Sequence, residues 1–322
     1  MRRFLLRRLL HGVLLLWGVS VLAFLLLELA PGSFFDEMRL NPQISPETVA
    51  GLRATYGMDR PLPVRYWRWL KSVARGEMGF SFAYNRPAAE LLLIRARNTL
   101  VLTAPAILLA WLLAIPLGTW SAARPRGALD RVVAALTTGL LVVPELLLAL
   151  ALLLLALCTG WFPTGGMVSA DFGEFPLAGK VKDITAHLAL PVAALVLGML
   201  PVLVRHTRAA VREVLDTPFL RAARGHGLPE GTLLFRYALR AAANPLISLF
   251  GFSVASLLSG SLVVELVLSW PGLGPLLLDA ILARDLYLVV GAVTFSAVLL
   301  VLGNLLADVL LYWSDPRIRA EE

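Results

Sequence analysis

Few side chains in this sequence of 322 residues are suited to catalysis or metal binding. The single cysteine, Cys158, excludes an internal disulfide and a site built from several thiolates, and the four histidines form no His-Glu-x-x-His pair. Ser253 follows Gly251 and Phe252 in a pattern like that around a serine nucleophile, but no histidine lies inside a neighbouring apolar segment to act as its base. We therefore predict neither a protease nor a metal site.

ATP hydrolysis by this chain is also not expected. The Gly-x-x-x-x-Gly-Lys-Ser/Thr motif that cradles phosphates is missing, since Gly179-Lys180 is followed by valine. The sequence accordingly predicts a protein that is not an enzyme and that binds no cofactor itself.

The polar residues that stand out lie inside long apolar runs, where an ionisable group costs a few kcal/mol to bury and is a functional candidate. Glu145 directly follows Pro144 and precedes a leucine-rich run at 146–157. Two hypotheses remain open for it: it faces a polar pathway and meets a cationic group of a solute, or it serves a neighbouring helix or the kink. The candidates for lining such a pathway are Glu145, Asn244, Ser248, Ser256 and Glu265.

Alternatives apply to the other candidates as well. Asn244 and Ser248 could instead pair with backbone groups freed by Pro245, and Glu265 lies near the end of its apolar run, which favours a solvated position. For Asp308 in the last apolar run we expect a role in helix packing or at an inner gate rather than contact with a solute.

The elements that must position these residues are membrane-spanning helices. The chain is 58% hydrophobic and 16% charged, with a mean hydropathy of +0.76, which excludes most soluble enzymes. A bilayer core needs about 20 apolar residues per helix. Six windows meet this requirement, at 9–29, 99–121, 131–157, 187–204, 245–268 and 287–312. The fold class is therefore predicted to be an all-α polytopic membrane protein in contact with lipid.

Charge predicts the orientation of the helices. Lys and Arg are concentrated at the N-terminus, around 124–131, between 205 and 240 and near the C-terminus, so both ends are expected in the cytoplasm. The net charge of +7 might suggest nucleic acid, but the basic residues are interleaved with long apolar runs, and no nucleic-acid partner is predicted. Prolines inside the spans predict kinked helices.

Two domains are predicted, 1–98 and 99–322. The first contains the first span and a folded extracytoplasmic segment, in which Ser45 caps a helix starting at Pro46 and ending near Gly57. A second short helix, containing Tyr66, Trp67 and Trp69, ends near Gly76; its aromatic and basic residues suit a membrane interface or the docking of an external partner.

The second domain contains five spans and the longest cytoplasmic loop, 205–244. Apolar residues around Leu215 recur at helical spacing, Pro218 marks a helix start, Gly227 permits a tight turn, and another helix is expected near Pro229 and Glu230. Two short helices around a glycine would expose apolar and small residues to water. We therefore expect a soluble partner to cover this loop, although it could instead fold back on its own membrane domain.

Several motifs in this order resemble those of a known family. The stretch Phe219-Leu220-Arg221-Ala222-Ala223-Arg224-Gly225-His226-Gly227 resembles the EAA loop of the permease subunits of ATP-binding-cassette importers. The likeness extends over nearly the whole chain. It includes Ala30-Pro31-Gly32, Tyr56-Gly57-Met58-Asp59-Arg60-Pro61, Gly76-Glu77-Met78-Gly79-Phe80-Ser81, Ser269-Trp270-Pro271-Gly272-Leu273-Gly274 and Asp315-Pro316-Arg317-Ile318-Arg319.

The resemblance is to the first, B-type permease of the dipeptide, oligopeptide and nickel group. It implies a type I permease fold in the inner membrane, forming half of a pathway for peptides, nickel chelates or glutathione-like solutes. The partners it implies are a homologous second permease, two ATPases that bind ATP and Mg, and an extracytoplasmic solute-binding protein. It also implies an ATPase-docking loop containing Leu215, Asp216, Phe219, Leu220, Arg221, Ala222, Ala223, Arg224 and Gly227.

The chain departs from the family pattern at three places. His226 stands where lysine is usual, Ala241 stands where asparagine is common, and Ser33-Phe34 replaces an acidic-proline pair. An ion-coupled secondary transporter is the alternative function; it would need a coupling site within the spans and would leave the 205–244 loop without a purpose.

Overall fold

The computed structural model describes residues 2–30, 32–39 and 43–314, which are mostly helical. The motif at 315–319 and Pro31 lie outside the described residues. The elements in chain order are α1 (Arg2–Leu29), α2 (Phe34–Arg39), α3 (Pro46–Thr55), α4 (Leu62–Val73), β1 (Phe80–Ser81), β2 (Arg86–Pro87), α5 (Ala88–Ala123), α6 (Ala128–Val142), α7 (Glu145–Thr159), a 3-10 turn (Ala170–Glu174), α8 (Leu177–Leu215), α9 (Pro218–Gly225), a π-helix (Thr232–Ala238), α10 (Leu239–Ala241), α11 (Ala243–Val267), α12 (Leu273–Leu282) and α13 (Leu286–Ser314).

Five of the described helices are long and apolar enough to cross a membrane: α1, α5, α8, α11 and α13. The bent pair α6 and α7 makes a sixth span if it is counted as one. The predicted all-α polytopic fold is therefore confirmed. Several helices continue well beyond their apolar windows. The backbone groups of a helix bond to one another, so a helix can continue past its apolar residues into a segment with solvated side chains.

The third predicted span, 131–157, is not one helix. Helices α6 and α7 meet at an angle of 100°. Val143 between them has extended backbone angles, φ −86° and ψ 116°, and Pro144 precedes the first residue of α7. Proline has no N–H to donate and disfavours helical angles in the residue before it, so the helix stops there and a new one begins. The kink expected at Pro144 is thus a complete break.

The chain folds into two compact units. The larger unit combines Leu100–Trp270 with the described residues of 1–6 and 300–322. Its core contains a row of small residues on α5, where Ala106, Ala110 and Ala114 are fully buried on one face. A Cβ atom at Gly118, the next position of this row, would lie 2.7 Å from the Cβ of Thr207 on α8. Small side chains along this face therefore allow α5 and α8 to approach closely.

The smaller unit consists of Arg7–Thr99 and Pro271–Leu299. The predicted domains, 1–98 and 99–322, stay a prediction. Within this unit Phe24 of α1 packs against Tyr66 and Trp69 of α4, with ring centroids 5.2 and 5.3 Å away. Trp69 is therefore buried and Tyr66 half-buried, whereas Trp67 has 57% of its surface exposed, and a role of this helix at a membrane interface or in docking stays a prediction.

The outer helices begin and end where the sequence predicts. The Ser45 hydroxyl accepts a hydrogen bond from the backbone N–H of Thr48 at 3.2 Å, which caps α3. Gly57 and Gly76 follow α3 and α4 with φ of +67° and +85°, a region that glycine occupies without steric cost. The predicted cap and both helix ends are confirmed.

The β1–β2 hairpin of the smaller unit is fixed by two aspartates. The carboxylate of Asp285, which is fully buried, accepts hydrogen bonds from the Ser81 hydroxyl at 2.7 Å and the Ala83 N–H at 3.1 Å. The Tyr84 hydroxyl donates to Asp279 at 2.9 Å. Partial burial, and then this bond, raise the pKa of Tyr84 above its usual value.

Candidate functional site

The inner end of α8 is tied to the start of α6 by a buried carboxylate. Asp130 accepts from Arg208 Nε at 2.7 Å and Nη2 at 3.0 Å, from the Arg126 N–H at 2.8 Å, and from the Ser121 hydroxyl. Paired N–H donors match the two oxygens of a carboxylate and fix their relative orientation. This four-residue network, the Asp130 cluster, lies one to two turns before the end of α8 and holds α6 and α8 together there.

The 205–244 loop is folded and has an apolar core. Helix α9 begins at Pro218 after the extended residue Thr217. Leu220 on α9 and Leu215 at the end of α8 are buried, with 3% and 8% of their surface exposed. They pack in one cluster with Leu233 and others from the following helical segment. The loop therefore forms a rigid knob, in agreement with the predicted pair of helices around a glycine.

The residues predicted for partner docking divide into two groups. Those that pack into the knob are Leu215, Leu220 and Ala223. Those on its surface are Asp216, Phe219, Arg221, Ala222, Arg224 and Gly227. Phe219 has 49% of its surface exposed. The structure thus places only part of the predicted set where a partner could touch it.

Polar contacts hold the exposed arginines of the knob. Arg221 Nη2 donates to the backbone oxygen of Asp216 at 2.9 Å, and Arg224 lies 3.4 Å from Glu230. Gly227 ends this segment with φ +78°. Both guanidinium groups therefore have partners within the knob.

Two aromatic residues, Phe235 in the knob and Trp120 on α5, were not predicted from the sequence. Phe235 and Trp120 meet edge to face at 6.0 Å, and 40% and 48% of their surfaces are exposed. Phe235 lies in the π-helix, for which the sequence carries no recognisable signal. The only sequence signal for Phe235 was an aromatic residue within a loop predicted to be cytoplasmic.

Glu145 lies in a narrow slot in the larger unit. It is half-buried at the start of α7, and its carboxylate lies against two glycines. A Cβ atom at Gly260 on α11 would lie 2.6 Å from Oε1, and one at Gly198 on α8 would lie 3.5 Å from it. The slot requires glycine at 260, whereas a Cβ at 198 would be in ordinary van der Waals contact with the carboxylate. A cavity of ≈ 90 Å³ adjoins the carboxylate and is also lined by Ser253 and Ser256.

The other predicted pathway residues differ in exposure. Ser248 and Ser256 are exposed on α11, and Asn244 is half-buried at its start. Glu265 is fully buried, so the expectation of a solvated side chain is wrong. Position along an apolar run does not reveal burial, because that depends on which helices pack around the residue. The Ser253 hydroxyl accepts from Trp111 Nε1 at 3.0 Å and donates to Phe250 O at 2.7 Å, so it serves helix packing.

Two family patterns match this chain. Residues 114–320 match the family described as binding-protein-dependent transport system inner membrane component. Residues 1–103 match the N-terminal region of membrane components of such systems.

Similar proteins agree with these matches. The oligopeptide transport system permease protein AppB of Bacillus subtilis (strain 168) is 35% identical over 99% of both chains. The dipeptide transport system permease protein DppB of Escherichia coli (strain K12) is 33% identical over 99% of both chains. A chain of the inward-facing MetNI methionine ABC transporter is 17% identical with a TM-score of 0.58, covering 70% of this chain and 96% of that chain. That likeness shows a shared fold.

These matches do not support an ion-coupled carrier. Members of the matched family are permeases, not enzymes; they act with other permease and ATPase subunits, and ATP is hydrolysed on the ATPases. The chain belongs to the inner-membrane permease components of binding-protein-dependent transport systems, as a multi-pass subunit of an ATP-binding-cassette importer.

Proposed function

We propose that this chain forms half of the pathway through which peptides enter the cell, and that separate ATPases drive it through the 205–244 knob. A homologous second permease supplies the other half, two ATPases bind ATP and Mg, and an extracytoplasmic binding protein delivers the cargo. Peptides are favoured as cargo by the names of the two relatives that match the chain along its full length. Nickel chelates and glutathione-like solutes are the alternative cargo.

The exposed side of α9 carries this proposal. Phe219 and Ala222 lie on the surface of a knob whose own core is closed by Leu215 and Leu220. An exposed aromatic ring beside a small residue suits insertion into an apolar groove of a partner protein. Leu215 and Leu220 give α9 a fixed position, and α9 makes the contact.

Transport also requires that movement of the knob reaches the spans. A partner shifts a conformational equilibrium only if it binds the two states with different affinity. ATP binding would change the separation of the two ATPases, and each would carry its docked knob with it. The Asp130 cluster would pass this movement from α8 to α6, since Arg208, at the start of the knob, binds Asp130 on α6.

The pathway itself is proposed to run along the exposed side of α11, where Ser248 and Ser256 lie, with Glu145 beside it. Hydroxyl groups and a carboxylate are poorly suited to contact with lipid chains. A second permease that covers this side would enclose them in a polar channel. Asn244 is a further candidate near the inner end, whereas the buried Glu265 is better suited to hold helices together.

Uptake by the reconstituted system tests the proposal. The four membrane and ATPase components, with the binding protein and a labelled peptide, are placed in liposomes. Accumulation should require ATP and both ATPases and should survive an ionophore that abolishes ion gradients. Uptake by this chain alone, or uptake that stops with the ionophore while ATP remains, would contradict it.

A further inference from the structure

The slot around Glu145 is built for a carboxylate. Helix α7 begins at this residue because Pro144 ends the preceding segment, and the break directs Glu145 toward α8 and α11. At Gly260, any side chain would overlap the carboxylate, since even a Cβ would come within 2.8 Å of its Cδ. Gly198 on α8 lies beside the carboxylate as well, where a Cβ would be 3.5 Å from Oε1. The two glycines therefore accommodate a charged group at a depth where most residues are apolar.

The Glu145 carboxylate has no partner among the residues that the structure describes: no hydrogen bond or ion pair from them reaches it. This is evidence against the hypothesis that it serves a neighbouring helix. An ionised carboxylate held away from water is costly unless a donor or a cation joins it. The carboxylate, half-buried beside the cavity, is therefore open to a donor from a bound molecule.

The space beside Glu145 limits what that donor is. The cavity of ≈ 90 Å³ is lined by Ser253 and Ser256 and by apolar residues such as Leu257 and Met199. One water molecule needs about 10–15 Å³ of such space, so a small group of several heavy atoms fits beside the carboxylate. Phe252, with 63% of its surface exposed, and Ser256 place the opening on the side of α11 proposed to face the pathway. A small cation on an apolar stem matches this site.

We infer that Glu145 receives a primary ammonium group of the cargo as it passes, pairing carboxylate with ammonium in the slot formed by Gly198 and Gly260. This rests on the proposed function. In a peptide the ammonium group is the amino terminus or a lysine side chain. Glu145 would then give the permease its own preference for cargo with an ammonium group, in addition to the preference of the binding protein.

Paired peptides test this inference in the reconstituted complex. One pair differs in a free or acetylated amino terminus, the other in lysine or norleucine at one position. The ratio of uptake within each pair is measured for the unaltered permease and for Glu145→Gln. Because the binding protein is the same in both, its preference cancels when the two ratios are compared. Charge-assisted hydrogen bonds are strong enough that Glu145→Gln should lower the ratio at least roughly tenfold for one pair. The pair that responds identifies the source of the ammonium group.

A second variant changes the shape of the slot and leaves the charge of Glu145 unaltered. Gly260→Ala should displace the carboxylate and lower the same ratio, whereas Gly139→Ala is the matched control because a Cβ there would have no neighbour within 4 Å. Unchanged ratios in Glu145→Gln with ATP-driven uptake intact would overturn the inference and leave the proposed function standing. Equal loss for both members of each pair, or a complex that fails to assemble, would assign Glu145 a structural role and overturn it as well.

Discussion

The guanidinium group of Arg208 binds both carboxylate oxygens of Asp130, with Nε and Nη2 donating at 2.7 and 3.0 Å. Only 8% of the Asp130 side chain is exposed, against 42% of the Arg208 side chain. The Asp130 carboxylate is therefore shielded from solvent, and the pair connects the first turn of α6 to α8. Because Arg208 lies at the start of the knob and Asp130 lies on α6, the pair is a direct physical link between the loop and the spans.

Asp130→Asn should destabilise the larger unit. The amide keeps the shape of the side chain but loses the charge and one acceptor, so the Arg208 and Ser121 donors are no longer both satisfied. We expect a loss of about 1–3 kcal/mol in the free energy of unfolding, measured as a lower midpoint of thermal unfolding in detergent.

The control for this change is Arg212→Ala. Arg212 pairs with Asp216 at 3.3 Å, but both side chains are largely exposed, at 44% and 66%. Exposed pairs of this kind contribute about 0.3–0.5 kcal/mol. Equal shifts for the two variants would contradict the importance given to the Asp130 cluster.

Gly303→Ala should weaken packing between α11 and α13. A Cβ atom at Gly303 would overlap the side chain of Val254, and one at Gly251 would lie 2.8 Å from the Cβ of Ala307. Inserting atoms into a packed interface costs about 1–3 kcal/mol. The midpoint of thermal unfolding should therefore fall.

Gly139→Ala is again the control, because it adds the same methyl group to a helix where nothing lies within 4 Å. Replacing glycine by alanine in a helix is expected to stabilise by about 0.5–1 kcal/mol when space allows. If Gly303→Ala raised the midpoint of thermal unfolding, as Gly139→Ala should, the interface between α11 and α13 would be less tightly packed than the structure indicates.

Asp285→Asn should release the hairpin of the smaller unit. Its carboxylate accepts from Ser81 and Ala83 in the hairpin and from the Leu288 N–H at 3.3 Å. An amide has a donor where one acceptor oxygen was, so at least one of these buried donors loses its partner. Chymotrypsin should then cut after Tyr84 faster than in the unaltered protein.

Asp279→Asn is the matched comparison for the hairpin. Asp279 is exposed, and its amide oxygen could still accept from the Tyr84 hydroxyl. Cleavage after Tyr84 should therefore stay near the unaltered rate. Faster cleavage in this variant than in Asp285→Asn would show that the buried aspartate does not hold the hairpin.

Local signals predicted the parts of this fold that depend on neighbours in sequence. Ser45 and Pro46 predict a helix start because a cap acts within three residues, and Gly57 predicts its end for the same reason. The apolar windows predict spans because bilayer thickness sets helix length. Pro144 predicts a disturbance, but whether a helix kinks or breaks depends on what packs around it.

Features that depend on packing between distant segments could not be predicted from local sequence signals. Glu145 was recognised from its apolar surroundings, but Gly198 and Gly260 are distant in sequence, and nothing in their local context predicts that they form its slot. Glu265 was expected in solvent and is fully buried. The π-helix over Thr232–Ala238 lacks a sequence signature, because its hydrogen-bond register is set by the cluster that it joins.

Helix α9 offers the most direct test of the claim that this chain is moved by ATPases it does not contain. Ala223 packs inside the knob, so Ala222, which is exposed beside Phe219, is the better position to alter. Ala222→Glu places a charge on the proposed contact surface, and Ala222→Ser is the control of similar size. The measurement is the amount of ATPase that co-purifies with the permease pair, together with ATP-driven uptake. Ala222→Glu should lose both while Ala222→Ser keeps both; full retention by Ala222→Glu would contradict the account.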